Sequence, residues 1–306
     1  MAIVRRADDG TWSLEVEAGE VGRNADHDEA YVRYLNAFDP IFVRARETCE
    51  FEFILTLLRV SGLQGPGWDA YNSTRRAINA ARELHELIPA GDEHFEKARH
   101  LELWTYGHVV EASEPYAMLA NLLDVIRGER FNARRFPPDA RGRPQVVASK
   151  IDQLVSLARR AGFEGAMDPL REIYDRELRN AIFHADYALH GGNINLTDAG
   201  RTIAHDDFMR LLNRALAYHD AIDRLHSTHV SSYTEPLVLP AHPAFADDEQ
   251  AAVIIREDHG VVGLKHNLTP AEIANGGIQW RLGIFQPYEL AALNADPHLA
   301  LLPARR

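Results

Sequence analysis

The residues of this chain best suited to chemistry lie in one short stretch, Arg179-Asn180-Ala181-Ile182-Phe183-His184. Arginine binds phosphate through two parallel N–H bonds and keeps its charge at physiological pH. Histidine accepts or donates a proton near neutral pH. A guanidinium, an amide and an imidazole within six residues can therefore hold and cut a phosphodiester without a metal ion.

The spacing Arg-x4-His is a weak signal by itself, because this content of arginine and histidine supplies about 1.5 such pairs by chance. The chain contains three pairs: Arg179/His184, Arg214/His219 and Arg224/His229. Only the first has a polar residue, Asn180, directly after the arginine, an apolar interior and a place at a predicted helix end. Asn180 and His184 share a helix face, and Arg179, about 140° off that line, has a side chain long enough to swing back.

The other histidines indicate no separate chemistry. His226-x-x-His229 with His219 lacks an acidic or thiol fourth ligand nearby, so we expect structural or solvated histidines that line a surface or a subdomain contact. The sequence contains no Gly-x4-Gly-Lys-Ser/Thr loop, no His-Glu-x-x-His and no Gly-x-Ser-x-Gly elbow. We expect neither a metal nor a bound cofactor.

The elements around the motif are predicted from periodicity and turn residues. An apolar helical stripe covers 168–185, with Asp168 as its N-cap and Pro169 in its first turn. Alternating residues on both sides of Gly191-Gly192 predict a β-hairpin, and residues 201–203 extend the small sheet. Further helices are predicted from about residue 28 until Pro40 interrupts them, and at 41–60, 69–88, 92–111, 115–126, 147–161 and after Asp206.

The stretch 127–145 is rich in arginine, proline and glycine, which predicts a loop of local net charge +4 between residues 127 and 143. One interpretation is a phosphate-binding loop in which Phe131 and Phe136 stack on bases. The other is a solvated connector whose phenylalanines anchor it to the helices. The candidate RNA-binding residues of the first interpretation are Arg134, Arg135, Arg141 and Arg143.

Composition limits the classes of function. A formal net charge of −12 disfavours broad nucleic-acid binding, so any RNA contact must be local or built across subunits. The single Cys49, the absence of a long apolar run and a start without a hydrophobic signal core favour a cytoplasmic protein without a membrane contact. We expect an N-terminal lead at 1–27, a helical domain at 28–228 and a small α+β module at 236–306, with strands at 252–256, 261–265 and 278–285 and a helix at 289–294.

Arg179-Asn180-x3-His184 resembles the motif of the HEPN superfamily, whose ribonucleases carry Arg-x4-6-His, often with Asn, Asp or His directly after the arginine. The hairpin and helix after the motif are similar to many bacterial and defence-associated members. The resemblance implies a mainly α fold: a HEPN-like helical bundle, a β-hairpin after the motif helix and a C-terminal module outside the family pattern.

The resemblance also implies an activity: metal-independent RNA cleavage by a homodimer in which the 2′-hydroxyl attacks the adjacent phosphate. His184 would exchange protons with the 2′-hydroxyl or the leaving oxygen, Arg179 would stabilise charge on the phosphate, and Asn180 would position the phosphate or the histidine. A bacterial toxin or antiviral effector with an antitoxin or defence partner is the implied setting. Toxins of the family that are paired with a nucleotidyltransferase carry a tyrosine two residues after the histidine, where this chain has Asp186. Tyr187 follows one position later. It is interpreted either as an accessory residue of the site or as the first core residue of the hairpin.

The motif also allows an alternative. A histidine at a helix end often caps carbonyl groups, and Arg179 can pair with Glu177 or Asp175. The alternative function is then a catalytically inactive HEPN-like scaffold that binds nucleotide, RNA or a protein partner.

Overall fold

The computed structural model describes residues 3–15, 25–60, 70–89, 91, 94–138, 140–243, 246, 249–257 and 259–280. The fold is mainly helical with small, mostly antiparallel sheets. The helices are α1 Ala25–Thr48, α2 Glu50–Val60, α3 Ala70–Glu86, α4 Phe95–Glu111, α5 Ser113–Ile126, α6 Val147–Arg160, α7 Pro169–Glu172, α8 Arg176–His184, α9 His205–Ser231 and α10 Pro270–Ala274. The strands are β1 Ile3–Arg6, β2 Trp12–Glu15, β3 Tyr187–His190, β4 Asn193–Leu196, β5 Arg201–Ile203, β6 Leu237–Pro240, β7 Gln250–Arg256, β8 Gly260–Lys265 and β9 Ile278–Trp280.

The chain forms two compact units, each discontinuous in sequence. Unit 1 comprises residues 1–41, 73–120 and 136–223, and unit 2 comprises 42–72, 121–135 and 224–306. Helices α4 and α6 to α8 and the sheet β3-β4-β5 lie wholly in unit 1. The sheet β6-β7-β8, with β9 parallel to β7, lies in unit 2. The division of the sequence at 27, 228 and 236 stays a prediction.

An aromatic cluster forms the centre of unit 1. The rings of Tyr34 and Phe38 on α1 lie 5.7 and 6.2 Å from that of Tyr218 on α9, and Tyr116 on α5 stacks on Tyr218 at 5.8 Å. All four side chains are almost fully buried. Burying rings of this size contributes several kcal/mol of hydrophobic stabilisation, so the framework that carries α4 and α8 is firmly packed.

The predicted hairpin is present directly after the motif helix. Strands β3 and β4 pair antiparallel from Tyr187↔Leu196 to His190↔Asn193, and β5 extends the sheet with Ile203 opposite Ile194. Gly191 and Gly192 have φ angles of +55° and +85°. A two-residue turn with two positive φ angles matches the strand twist and favours glycine at both positions.

Two predicted helix boundaries were wrong. Pro40 does not interrupt the first helix, since α1 continues through it to Thr48, and the break comes at Cys49. Leu35, Phe38 and Ile41 on both sides of the proline are fully buried. Their burial outweighs the cost of about 3 kcal/mol for an interior proline.

The predicted helix 168–185 is in fact two helices, α7 and α8. Asp168 makes no side-chain cap bond, and Asp175 caps α8 instead by accepting from the N–H of Leu178 at 2.9 Å. The hydroxyl of Tyr106 donates to the carbonyl of Ile173 at 2.9 Å and accepts from the N–H of Asp175 at 3.0 Å. This tertiary contact takes backbone groups that a continuous helix would use.

The C-terminal prediction is confirmed as far as the structure describes it. Strands β7 and β8 correspond to the predicted strands at 252–256 and 261–265, and β9 begins where the third strand was predicted. The predicted helix at 289–294 and the rest of the third strand lie outside the described residues. The described part of 127–145 forms turns and coil, as predicted.

Candidate functional site

The motif residues are positioned by the way α8 packs and ends. Leu178, Ala181 and Ile182 are buried in unit 1, so the residues between them and after them face outward. The residue that follows the helix, Ala185, has a left-handed φ of +59°. The N–H groups of Ala185 and Asp186 both donate to the carbonyl of Ala181. His184 is therefore the last residue of the helix, where no following turn covers its side chain.

Arg179 is fixed by three contacts. Its Nε donates to Oε1 of Glu111 on α4 at 2.5 Å, and its Nη1 donates to Oδ1 of Asn180 at 3.0 Å. Its Cζ lies 4.9 Å from the ring centroid of Phe183. In the described part of the chain, Nη2 makes no hydrogen bond, so one edge of the guanidinium remains available to an anion.

The proposed ion pair of Arg179 with Glu177 or Asp175 is not formed. Those two carboxylates hold Arg201 instead: Nη1 of Arg201 donates to Oε2 of Glu177 at 2.8 Å, and Nη2 donates to Asp175. The partner of Arg179, Glu111, lies 68 residues away in sequence. Both side chains of the Arg179–Glu111 pair are about a quarter to a third exposed, so this is a half-buried pair rather than a core one.

Gly107 on α4 allows α8 to pack closely. A Cβ at this position would lie 3.3 Å from Cγ2 of Ile182 and 3.3 Å from Cε2 of Phe183. The phenyl ring therefore lies across the glycine, and Phe183 still keeps 52% of its surface exposed. This close approach fixes the distance of the Phe183 ring, and of the Arg179 guanidinium beside it, from α4.

His184 has an exposed side chain. Among the described residues it makes no hydrogen bond, ion pair or ring contact. It does not cap a carbonyl group, in contrast to one of the two sequence-based interpretations. An imidazole in this state can accept a proton from, or donate one to, a bound molecule.

Tyr187 is half-buried at the start of β3 and contacts α4. Its hydroxyl lies 2.8 Å from Nδ1 of His100, and the two rings lie 5.7 Å apart. Burial raises the pKa of the Tyr187 hydroxyl, and a hydrogen bond from Trp104 partly opposes that shift. Tyr187 thus packs against α4 at the start of the hairpin, and its role as an accessory residue of the site stays a prediction.

Sequence reasoning missed the residues that α4 brings to this site. The signal that could have found them is their spacing of four, three and four residues, which places them on one helix face. The members of this face are His100, Trp104, Gly107 and Glu111.

The two other Arg-x4-His pairs have a different environment. Of the two expected states, structural and solvated, the structure shows the structural one, because His219, His226 and His229 are buried, with 3%, 7% and 8% of their surface exposed. His229 stacks on Phe42 at 5.1 Å, and Nε2 of His226 lies 3.1 Å from the carbonyl oxygen of Leu57. No group of three potential ligands able to hold a metal ion occurs among the described residues.

The arginine-rich loop is divided between the two units. Arg134 and Arg135 belong to unit 2, where Nε of Arg135 lies 2.7 Å from Oδ2 of Asp124. Arg141 and Arg143 belong to unit 1 and are exposed. The charge of Arg135 is therefore already compensated by Asp124, and the assignment of the four arginines to RNA binding stays a prediction.

The two phenylalanines of this loop are half-buried. The backbone N–H of Phe131 donates to Oε2 of Glu52 at 2.8 Å, and Nζ of Lys150 lies 6.0 Å from the ring of Phe136. These contacts favour the connector interpretation, in which the phenylalanines anchor the loop.

No family model matches this chain. Neither a curated protein nor a solved structure matches it significantly. The likeness to the HEPN superfamily therefore rests on the Arg179-Asn180-x3-His184 stretch and on the order of the elements around it. In the described part of the chain, no helix is long and apolar enough to cross a membrane.

A cavity of about 470 Å³ opens near the other end of α8. It is lined by Glu172, Asp175 and Glu177 as well as by Arg176 and Arg201. Three carboxylates oppose the binding of an anion, and the arginine contacts described above tie Arg201 to two of them. The exposed C-terminal end of α8, rather than this cavity, carries groups suited to a phosphodiester.

Proposed function

We propose that this protein is a metal-independent endoribonuclease of the HEPN type that acts as a homodimer. The observation that carries the proposal is the state of the motif: His184 is exposed and without a partner among the described residues, while Arg179 and Asn180 beside it are held together. Exposure leaves the imidazole available to a substrate, and what separates His184 from the exposed His190 is its place on the helix that carries Arg179 and Asn180. A helical bundle with a hairpin after the motif helix is the HEPN-like arrangement that goes with this activity.

In the proposed reaction, the 2′-hydroxyl of the RNA attacks the adjacent phosphorus. The new bond from the 2′-oxygen forms as the bond to the 5′-oxygen breaks, which leaves a 2′,3′-cyclic phosphate and a 5′-hydroxyl. His184 moves the proton at the 2′-hydroxyl or at the leaving oxygen, a role typically worth about 10²–10⁴-fold in rate. Arg179, whose Nη2 is available, stabilises the charge that develops on the phosphate.

Asn180 has a positioning role in this proposal. Its amide oxygen accepts from Nη1 of Arg179, and this bond fixes one edge of the guanidinium. The dimer supplies what one chain lacks. The reaction needs a proton acceptor at the 2′-oxygen and a proton donor at the leaving oxygen, and two copies of His184 provide both.

The biological setting that we propose is that of a bacterial toxin or antiviral effector in the cytoplasm. Such an enzyme requires control, so an antitoxin or a defence protein is the expected partner. The position of Asp186 two residues after His184 argues against control by modification of a tyrosine there.

The alternative function is an inactive scaffold, and one observation favours it. Glu111 occupies Nε of Arg179 and places a carboxylate beside the proposed phosphate site. In a protein of net charge −12, this carboxylate adds to the repulsion of RNA. A scaffold would keep Arg179 as a structural link between α4 and α8.

The test is RNA cleavage in EDTA by the purified wild type, His184→Ala and Arg179→Ala. We expect cyclic-phosphate products from the wild type and a loss of at least about 100-fold in each variant. His190→Ala removes another exposed histidine, at the end of β3, and should cleave like the wild type. Replacing every nucleotide of the substrate by its 2′-deoxy form should abolish cleavage.

Two results would refute the nuclease. One is equal cleavage by the wild type and His184→Ala, and the other is no cleavage by the wild type on any RNA with or without candidate partners. Sedimentation of the wild type as a monomer at the concentrations used for cleavage would refute the dimer.

A further inference from the structure

The outward face of α4 beside the motif has an unusual composition. Lys97, His100, Trp104, His108 and Glu111 are spaced three or four residues apart and form one stripe along the helix. Trp104 at its centre has 62% of its surface exposed. Exposed tryptophan on a soluble surface is uncommon and marks interaction sites.

The charged groups of the stripe lie at its two ends: Lys97 at one end and Glu111, paired with Arg179, at the other. Between them the stripe presents two imidazoles. Burial and, to a smaller extent, His219 lower the pKa of His108, which favours its neutral form. The other acidic residue of this part of α4, Glu102, is buried and lies 2.6 Å from the guanidinium of Arg99. From Lys97 to His108 the stripe therefore presents no carboxylate that would repel a phosphate.

The indole is flanked by groups that are themselves held in place. The ring of His100 lies 6.4 Å from that of Trp104, and His100 is hydrogen-bonded to Tyr187. One turn further along α4, Phe183 lies across Gly107 and keeps half of its surface exposed. Phe183 thus lies beside the guanidinium of Arg179, at 4.9 Å, and Trp104 lies on the same face of α4 as Glu111, the partner of Arg179, two turns away.

We propose that Trp104 is a stacking platform for an unpaired base of single-stranded nucleic acid bound next to Arg179 and His184. The inference deepens the proposed function and rests on it for the location of the scissile phosphate. Aromatic side chains next to a cationic group are a usual device for binding single strands, because every base offers a flat face that can stack on them. The platform selects unpaired over paired nucleic acid and is tolerant of base identity.

The alternative occupant of the stripe is a second copy of this chain. Two partly exposed rings offer a few hundred Å² at most, since a whole aromatic side chain buries about 150–250 Å². A stable protein interface needs about 800 Å² from each partner, with a core depleted of charged residues. The stripe instead surrounds its tryptophan with lysine and histidine, which favours the nucleic acid.

The test uses a 12-nucleotide oligodeoxyadenylate, which has no 2′-hydroxyl and cannot be cleaved by the proposed reaction. Binding is measured by fluorescence anisotropy of a labelled oligonucleotide, and contact with the indole by quenching of tryptophan emission. We expect Trp104→Ala to weaken binding by about 5- to 100-fold and Trp104→Phe by about threefold or less. Leu87→Ala, which removes an apolar side chain that is 77% exposed, is the matched control and should bind like the wild type.

The outcomes separate this inference from the nuclease proposal. If the wild type binds the oligonucleotide through Trp104 but cleaves no RNA, the platform stands and the nuclease fails. If Trp104→Ala is folded by circular dichroism and binds like the wild type, or if the wild type does not bind the oligonucleotide at all, the platform is refuted. A Trp104→Ala protein that becomes monomeric with unchanged oligonucleotide affinity would assign the stripe to a second copy instead.

Discussion

The end of α8 and the interior of α9 carry the same Arg-x4-His spacing in opposite environments. His184 is exposed and has no partner among the described residues, whereas His219 and His229 are buried. The spacing alone therefore says little about chemistry. What differs is the surface against which each histidine packs and, for His219, the length of helix that follows it.

A physical reason for the difference lies in how each helix continues. α8 ends one residue before Ala185, whose left-handed conformation turns the chain into β3 and leaves the imidazole uncovered. α9 runs from His205 to Ser231, so His219 has three further turns after it. In unit 2, the ring of His229 packs against the rings of Phe42 and Phe53, at 5.1 and 5.5 Å.

The sharpest test of this contrast is His184→Ala. We expect RNA cleavage to fall by about 10²–10⁴-fold while the free energy of unfolding changes by less than about 0.5 kcal/mol, because the side chain is exposed and makes no contact within the described residues. Cleavage rates and urea unfolding should be measured on the same preparation. A loss of stability above about 1 kcal/mol would mean that the histidine is structural after all.

We expect His229→Ala to have the reverse effect: it lowers stability instead of removing a catalytic group. Removing a buried ring packed against two phenylalanines leaves a cavity and should lower the free energy of unfolding by about 2–3 kcal/mol. Urea unfolding measures the effect, with the exposed His190→Ala as a control that should change stability by less than about 0.5 kcal/mol. A wild-type unfolding curve for His229→Ala would contradict the assignment of this pair to the core.

The pH dependence of stability tests the structural role of Asp220, which lies next to His219 on α9. Burial by itself would raise the pKa of the Asp220 carboxyl, but the neighbouring His219 ring, the hydrogen bond with His27 and the charge and hydrogen bonds of Arg82 lower it well below its ordinary value. Arg82 and His27 approach the carboxylate at 2.8 and 3.0 Å. A lowered pKa contributes stability that is present above about pH 4 and lost as the pH falls through the folded-state pKa.

Asp220→Asn should therefore lower the free energy of unfolding by about 1–2 kcal/mol at pH 7. The difference from the wild type should shrink steadily below about pH 4, as the wild-type carboxyl is protonated. Urea unfolding at a series of pH values measures it. A difference that is independent of pH would show that packing, rather than charge, is what the substitution removes.

The smallest expected effect concerns Glu111, the partner of Arg179. Glu111→Gln removes a carboxylate next to the proposed phosphate site and should strengthen binding of the oligodeoxyadenylate by about two- to fivefold at low salt. Glu177→Gln is the matched control, because Glu177 lies on the same helix as Arg179 but pairs with Arg201. It should change oligonucleotide binding less than Glu111→Gln does. Weaker binding after Glu111→Gln would mean that the ion pair holds Arg179 in its binding position.

Local signals in the sequence were sufficient for several elements of the fold. The Gly191-Gly192 turn predicted the hairpin, because few other residues tolerate two positive φ angles in succession. The apolar stripe that includes Leu178, Ala181 and Ile182 predicted which side of α8 is buried. The proline-, glycine- and arginine-rich composition of 127–145 predicted a loop.

The predictions failed where a distant residue competes with a local preference. Asp168 and Pro169 form a good helix start, yet Tyr106 on α4 ends that helix after one turn and makes Asp175 the cap of the next. Pro40 predicts a break that the buried neighbours on α1 override. In the first case the deciding residue, Tyr106, lies far away in sequence. In the second the deciding residues are neighbours, but their burial depends on the rest of the fold.

The sequence by itself determined the residue types of the motif, the helix that carries them and the hairpin that follows, since each depends on neighbours within about ten positions. Only the tertiary structure decided that Glu111, rather than Glu177 or Asp175, pairs with Arg179, and that Trp104 and Phe183 flank the site. It also decided which of the three Arg-x4-His pairs is exposed. The reason is physical: hydrogen bonding and burial depend on which helix packs alongside, and that helix is 68 residues away along the chain.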